Sequence, residues 1–301
     1  MKTLAIALAI LAASVASTFA QAPPAAGRGA GGGRGAPQPQ TIQQVKPGLY
    51  MVTGAGGNST FRVTSEGIIL VDGKLPGDAN YNALMALIKG AAGQETAGQP
   101  IKYLIVTHHH ADHTGNNQKF LDAGVQVVAT ENLNKNLVTY EQNPKPASAS
   151  VTYAGTEYTI RLGGVTAELH HFGRAHTSGD TVVYFPDLKT VCLSDTVTTG
   201  KTGPLIDYAG GGSATDWTNV LAAVLKLDFD AAIPGNGNVL TKADVQAFKT
   251  KFDTVISRAR ELVRQGVPQD QLLAQIKTDD IGWAPRVPKV DAFVAELSAS
   301  K

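Results

Sequence analysis

The chain has 301 residues, 43% of them hydrophobic and 17% charged, enough to bury a substantial core in one large domain or two small ones. Its formal net charge of +1 gives no general attraction to nucleic acid or to an anionic membrane, so the expected partner is a small-molecule substrate held at a local site. The single cysteine, Cys192, excludes an internal disulfide; set between Val191 and Leu193, it reads as a small buried hydrophobe.

At the N-terminus, Met1 and Lys2 precede an apolar stretch over 4–15 and small residues up to Ala20. This is the pattern of a secretory signal peptide over 1–20, cleaved before Gln21, and its apolar run is too short to span a bilayer. An exported protein, periplasmic or secreted, with no stable membrane insertion after cleavage, is the expectation. Residues 21–40 are dominated by Ala, Gly, Pro and Arg and predict a flexible linker, which leaves 41–301 as the folded domain.

The folded part begins with strand patterns over 45–52, 60–64 and 67–71, separated by Gly-rich and Ser-Glu-Gly turns that suggest antiparallel hairpins. A helix over 79–89 follows, then a strand over 101–106, a helix over 115–123, a strand over 125–129 and a helix over 131–140. The second half repeats the style with strands over 158–162, 165–171, 181–185 and 190–193, a helix over 215–227 and a strand over 231–233. From 242 onward the pattern is mainly helical, broken near 266–268 and 282–288. Two β-rich halves with outer helices suggest a four-layer sandwich of class α+β, two mixed sheets between helices.

Between the strand over 101–106 and the next helix lies THHHADH, residues 107–113, with His108, His110, Asp112 and His113 as candidate metal ligands. Imidazole and carboxylate are the groups a catalytic zinc prefers, and alternate residues of an extended segment project to one side, pairing His108 with His110. His109 points the other way and is assigned to packing or solvent. A catalytic zinc takes three protein ligands and a water, so further ligands must come from elsewhere. His176, in the turn GRAHTSGD over 173–180, and Asp195, closing the strand that holds Cys192, occupy comparable strand-end positions.

The ordered set HxHxDH, GxxHTxGD and a strand-terminal Asp, together with IILVDGK over 68–74, resembles the metallo-β-lactamase fold superfamily over residues 41–240. The resemblance implies the αβ/βα sandwich and a hydrolytic metal centre. In it His108, His110 and His176 hold a first ion, Asp112 and His113 a second, and Asp195 bridges the two. Asp72 and Asp180 become acids that orient ligands or form turns. The family's last ligand is the histidine of a PGHG motif; residues 233–237 read IPGNG here, with Asn236 at that position. An amide oxygen is a weaker zinc donor than imidazole, so the expectation is one tightly held Zn2+ and a second ion weak, absent or of a harder kind.

The function implied is hydrolysis of an ester, thioester, lactone or amide, β-lactams included, by a metal-activated water with Asp112 as the catalytic proton acceptor. The same scaffold also hosts oxidation of sulfur compounds at a single iron, and a non-catalytic metal-binding protein is the remaining alternative. The substrate and the oligomeric state are not written in the sequence.

Overall fold

The computed structural model describes residues 38–96, 100–200 and 202–299; the signal-peptide segment and the linker up to residue 37 lie outside them. The domain opens with a meander of antiparallel strands, β1 (Thr41–Lys46), β2 (Leu49–Thr53), β3 (Ser59–Val63) and β4 (Ile68–Val71). Helix α1 (Asp78–Thr96) leads to β5 (Ile101–Ile105), the short helices α2 (Ala111–Thr114) and α3 (Asn117–Asp122), β6 (Gln126–Thr130), α4 (Glu131–Thr139) and β7 (Val151–Tyr153). From β4 to β7 the pairing is parallel, as helical crossovers require, and the seven strands form one sheet in chain order.

The second half adds β8 (Glu157–Leu162), β9 (Val165–His170), β10 (Val182–Phe185), β11 (Thr190–Ser194), β12 (Thr202–Leu205), α5 (Ala214–Val224), β13 (Ala231–Pro234) and β14 (Leu240–Thr241). Helices α6 (Lys242–Arg264) and α7 (Gln269–Gln275), strand β15 (Ala284–Arg286) and α8 (Val290–Ala299) complete it. Its six-stranded sheet has the order β14-β13-β11-β10-β9-β8 and mixes antiparallel pairs with the parallel pair β11–β13, while β12 and β15 pair separately.

Burial on both faces explains the apolar runs. In β4, Ile68 and Leu70 face α1 and its neighbours, whereas Ile69 and Val71 meet Leu169, Val183, Phe185 and Ile233 between the sheets. In β11, Val191 and Leu193 pack under α5 and α6 around Trp217 and Phe252, and Cys192 turns into the layer between the sheets. Burial pushes the Cys192 thiol up to about 12, so it stays protonated. The result is two mixed sheets with outer helices, the expected αβ/βα sandwich.

Several local expectations change. The single strand expected over 45–52 is a hairpin, because Pro47 has no N–H to donate and Gly48, at φ 67, turns the chain between Lys46 and Leu49. The helix expected over 115–123 is α3, and an unexpected short helix, α2, precedes it, so Asp112 and His113 lie inside α2 rather than before a helix. The strands β7, β12, β14 and β15 were not expected; each is short, and β12 contains Gly203 and Pro204, which mask a strand pattern.

Candidate metal centre

The candidate residues come from loops at one edge of the two sheets. Asp72 follows β4, the histidine cluster follows β5, His176 sits between β9 and β10, Asp195 follows β11 and Asn236 follows β13. Chain ends of parallel strands meet at a common edge, which is how residues more than a hundred positions apart converge.

His108, His110 and His176 form one group. His110 Nδ1 lies 3.2 Å from His108 Nε2 and 2.9 Å from His176 Nε2. The opposite nitrogen of each ring is committed: His108 Nδ1 donates to Thr107 Oγ1 at 3.2 Å, His110 Nε2 to Asp207 Oδ2 at 2.9 Å and His176 Nδ1 to the Leu205 carbonyl at 2.7 Å. These partners fix the tautomers, so three nitrogen lone pairs face one another with no proton between them. Burial drives the His108 imidazole well below its ordinary range and the His176 imidazole down to about 4, so both rings are neutral at pH 7, as a metal ligand must be. Two nitrogens bound to a tetrahedral zinc at about 2.0–2.1 Å stand roughly 3.3 Å apart, close to the spacing seen. The donor set fits a divalent cation.

His108, His113 and Asp195 form an adjoining group. Asp72 is buried at the end of β4 in a left-handed conformation, φ 62, which aspartate tolerates. Its carboxylate accepts from His113 Nδ1 at 2.8 Å, from the Thr107 N–H at 2.9 Å and from Ser194 Oγ at 3.1 Å. This leaves His113 Nε2 buried without a hydrogen-bond partner, 3.6 Å from both Asp112 Oδ2 and Asp195 Oδ1. Burial alone would lower the His113 pKa, but Asp112, Asp72 and Asp195 together raise it to about 10. The buried Nε2, flanked by the Asp112 and Asp195 carboxylates, suits a cation beside it. Asp195 stands between the groups, its Oδ2 at 3.7 Å from His176 Nε2.

Asn236 is exposed, and its Oδ1 accepts from the Thr199 N–H at 2.9 Å and from Thr199 Oγ1, on the loop between β11 and β12. Its amide oxygen is thus engaged by Thr199. Asp180 accepts from the N–H and hydroxyl of Thr177 and so ties the turn that carries His176. Glycine makes room at two points. A Cβ on Gly57 would lie 2.3 Å from His113 Cε1, and one on Gly235 would lie 1.9 Å from Asp195 Oδ1.

Asp207 and Tyr140 were not found in the sequence. Asp207 closes β12 as Asp72 closes β4 and Asp195 closes β11, a repeated apolar-strand-then-acid signal hidden by the Gly203-Pro204 interruption. Its Oδ1 accepts from the Ala209 and Gly210 N–H groups and its Oδ2 from His110 and, at 3.4 Å, from His109. Burial would raise the Asp207 carboxyl, but the bonds from His109, His110 and Gly210 hold it below the usual carboxylate range. His109 is buried, so it packs rather than meeting solvent. His109, His110 and Asp207 do not make a third metal site, because His110 Nε2 carries the proton that leaves Nδ1 free for the first group.

This fold and this His/Asp centre define a divalent-metal protein of the αβ/βα class. The family model of the metallo-beta-lactamase superfamily matches residues 52–236, and the chain belongs to that superfamily. It is 29% identical over 173 residues to the "2,4-dinitroanisole O-demethylase subunit alpha" of Nocardioides sp. (strain JS1661), covering 57% of this chain and 51% of the relative. It is 30% identical over 130 residues to "Metallo-beta-lactamase IND-1" of Chryseobacterium indologenes, covering 43% and 49%. The chain thus spans about half the length of these two relatives. Among solved structures, the metallo-beta-lactamase from Pontibacter korlensis superposes with TM-score 0.59 at 20% identity, covering 71% of this chain and 99% of the other, a likeness of fold.

Proposed function

We propose that the protein is an exported metal-dependent hydrolase acting on an ester, thioester, lactone or amide. The observation that carries this reading is the convergence of three imidazoles, each held from behind by a fixed acceptor, beside a carboxylate-rich pocket. The names of the superfamily relatives support hydrolysis, and the pattern over 1–20 supports export. No helix among the described residues is long and apolar enough to cross a membrane.

His108, His110 and His176 would hold the first ion, and His113 and Asp112 a second, with Asp195 between them. When bound, zinc supplies Lewis acidity that polarises the scissile carbonyl and makes water a nucleophile at neutral pH. The chain's own residues do the rest. Burial pulls the Asp112 pKa upward but His113 and His110 outweigh it, so the carboxyl is ionised and ready to take a proton. Its side chain is 39% exposed, open to substrate. Asp72 fixes the orientation of the His113 ring through Nδ1, and Asp207 that of His110 through Nε2.

With Asn236 bonded to Thr199, the second group lacks a fourth protein donor of zinc's preferred kind. One tightly held ion and a weak second follow from that.

Purified protein loaded with zinc should hydrolyse at least one probe in a panel of p-nitrophenyl acetate, a thioester, a homoserine lactone and nitrocefin, with 2,4-dinitroanisole added because of the O-demethylase relative. His110→Ala should abolish the activity. Activity on no probe, or activity untouched by His110→Ala, refutes the reading.

A further inference from the structure

Tyr140 lies just beyond the C-terminal end of α4 and takes no part in either ligand group, yet it is built into their rim. Its phenolic oxygen accepts the Ala111 N–H at 3.2 Å, and Ala111 is the residue between His110 and Asp112. The ring is clamped edge-on to His109, centroids 4.8 Å apart at 86°, and lies 5.8 Å from the His110 ring. His109 is pinned in turn by Asp207 and by Asn136, whose Nδ2 also donates to the Gly210 carbonyl at 2.9 Å. The ring therefore has one position, and it is half-buried rather than sealed off.

The phenol accepts one hydrogen bond, and its own proton has no acceptor among the described residues. A phenol of ordinary tyrosine pKa is protonated at neutral pH, so the donor is available. A donor already fixed in space, polarised by the Ala111 N–H at the start of the helix that carries Asp112, is what a developing oxyanion requires.

We propose that Tyr140 is a catalytic hydrogen-bond donor to the oxyanion that forms on the substrate carbonyl. The inference rests on the hydrolase reading above. As the water oxygen bonds to the carbonyl carbon, the π pair moves onto the carbonyl oxygen, which Tyr140 Oη–H then holds without giving up its proton. Asp112 takes the proton lost by the water. When the π pair re-forms, the bond to the leaving group breaks, and the leaving group departs with that proton. Charge and atoms balance, and no further reactant is needed.

The test compares the zinc-loaded full chain with Tyr140→Phe, which keeps the ring. Inorganic phosphate serves as a tetrahedral oxyanion probe in calorimetric titration, and p-nitrophenyl acetate as the kinetic probe. Zinc content and thermal midpoint should be unchanged in Tyr140→Phe, while phosphate affinity falls by about tenfold or more, the scale of a hydrogen bond to a charged group. On p-nitrophenyl acetate, kcat should fall and KM stay nearly constant. Tyr140→Gln, which restores a donor without the ring, should recover part of the phosphate affinity. Wild-type affinity in Tyr140→Phe, or no phosphate binding by the wild type, overturns the proposal. So does loss of zinc with the hydroxyl, since Tyr140 would then only brace the ligand loop. Loss of phosphate affinity in a protein whose wild type hydrolyses no probe would keep the donor and refute the hydrolase reading instead.

Discussion

Asp207 Oδ2 holds His110 Nε2 at 2.9 Å, and this bond is why His110 presents Nδ1, rather than a protonated nitrogen, to His108 and His176. The carboxylate is itself anchored by the Ala209 and Gly210 N–H groups, so the loop after β12 sets the direction of a candidate ligand that lies 97 residues away in sequence. Removing such an orienting partner typically costs about 10–100-fold in metal affinity. Asp207→Ala should weaken first-ion binding by that order, with Asp207→Asn between it and wild type because its amide oxygen still accepts. Competition for zinc against a chromogenic chelator measures both.

Gly57 marks a close approach of backbone to a candidate ligand, since a Cβ there would lie 2.3 Å from His113 Cε1. Gly57→Ala should displace His113 and cost about 1–3 kcal/mol of stability by overpacking. The first group, which does not include His113, should still bind its ion. Zinc stoichiometry and urea unfolding of the variant check the two halves of this expectation.

Lys74 is completely buried, and its Nζ donates to the Val52 and Gly57 carbonyls, each at 2.7 Å. Burial pulls its pKa from 10.5 down to about 7, against the pull of Asp72 and Asp112 in the other direction. Between those pH values the unfolded chain binds more protons at this site than the folded one, so stability rises with pH across the window. Below about pH 7 both states are protonated and the cost of burying the charge is fully present. Lys74→Met removes this dependence. The urea midpoint of wild type relative to Lys74→Met should therefore climb between pH 7 and 10; a flat or falling difference contradicts the assignment.

The sequence carried the outline of this site because its ligands cluster at strand ends and THHHADH, GRAHTSGD and IILVDGK are contiguous. The alternation of buried runs with turns likewise made the two sheets and their helical cover legible. What escaped was local or tertiary. Pro47-Gly48 turned one expected strand into a hairpin, and Gly203-Pro204 hid β12 and with it Asp207. Tyr140 could not be found at all, because its place beside Ala111 depends on how α4 packs against the ligand loop. The sequence left His109 to packing or solvent, and its burial against Asp207 and Tyr140 rests on tertiary contacts that alternation does not reach.

The central claim is an unequal centre: a complete three-histidine group beside one that Asn236 fails to complete. Calorimetric titration of the metal-free wild-type protein with zinc, alongside Asn236→His, tests it most directly. The account predicts one tightly bound ion in the wild type, a second at least about tenfold weaker, and a gain in the second affinity on restoring the histidine, as expected of an added imidazole ligand. Two equally tight zinc ions in the wild type would contradict it.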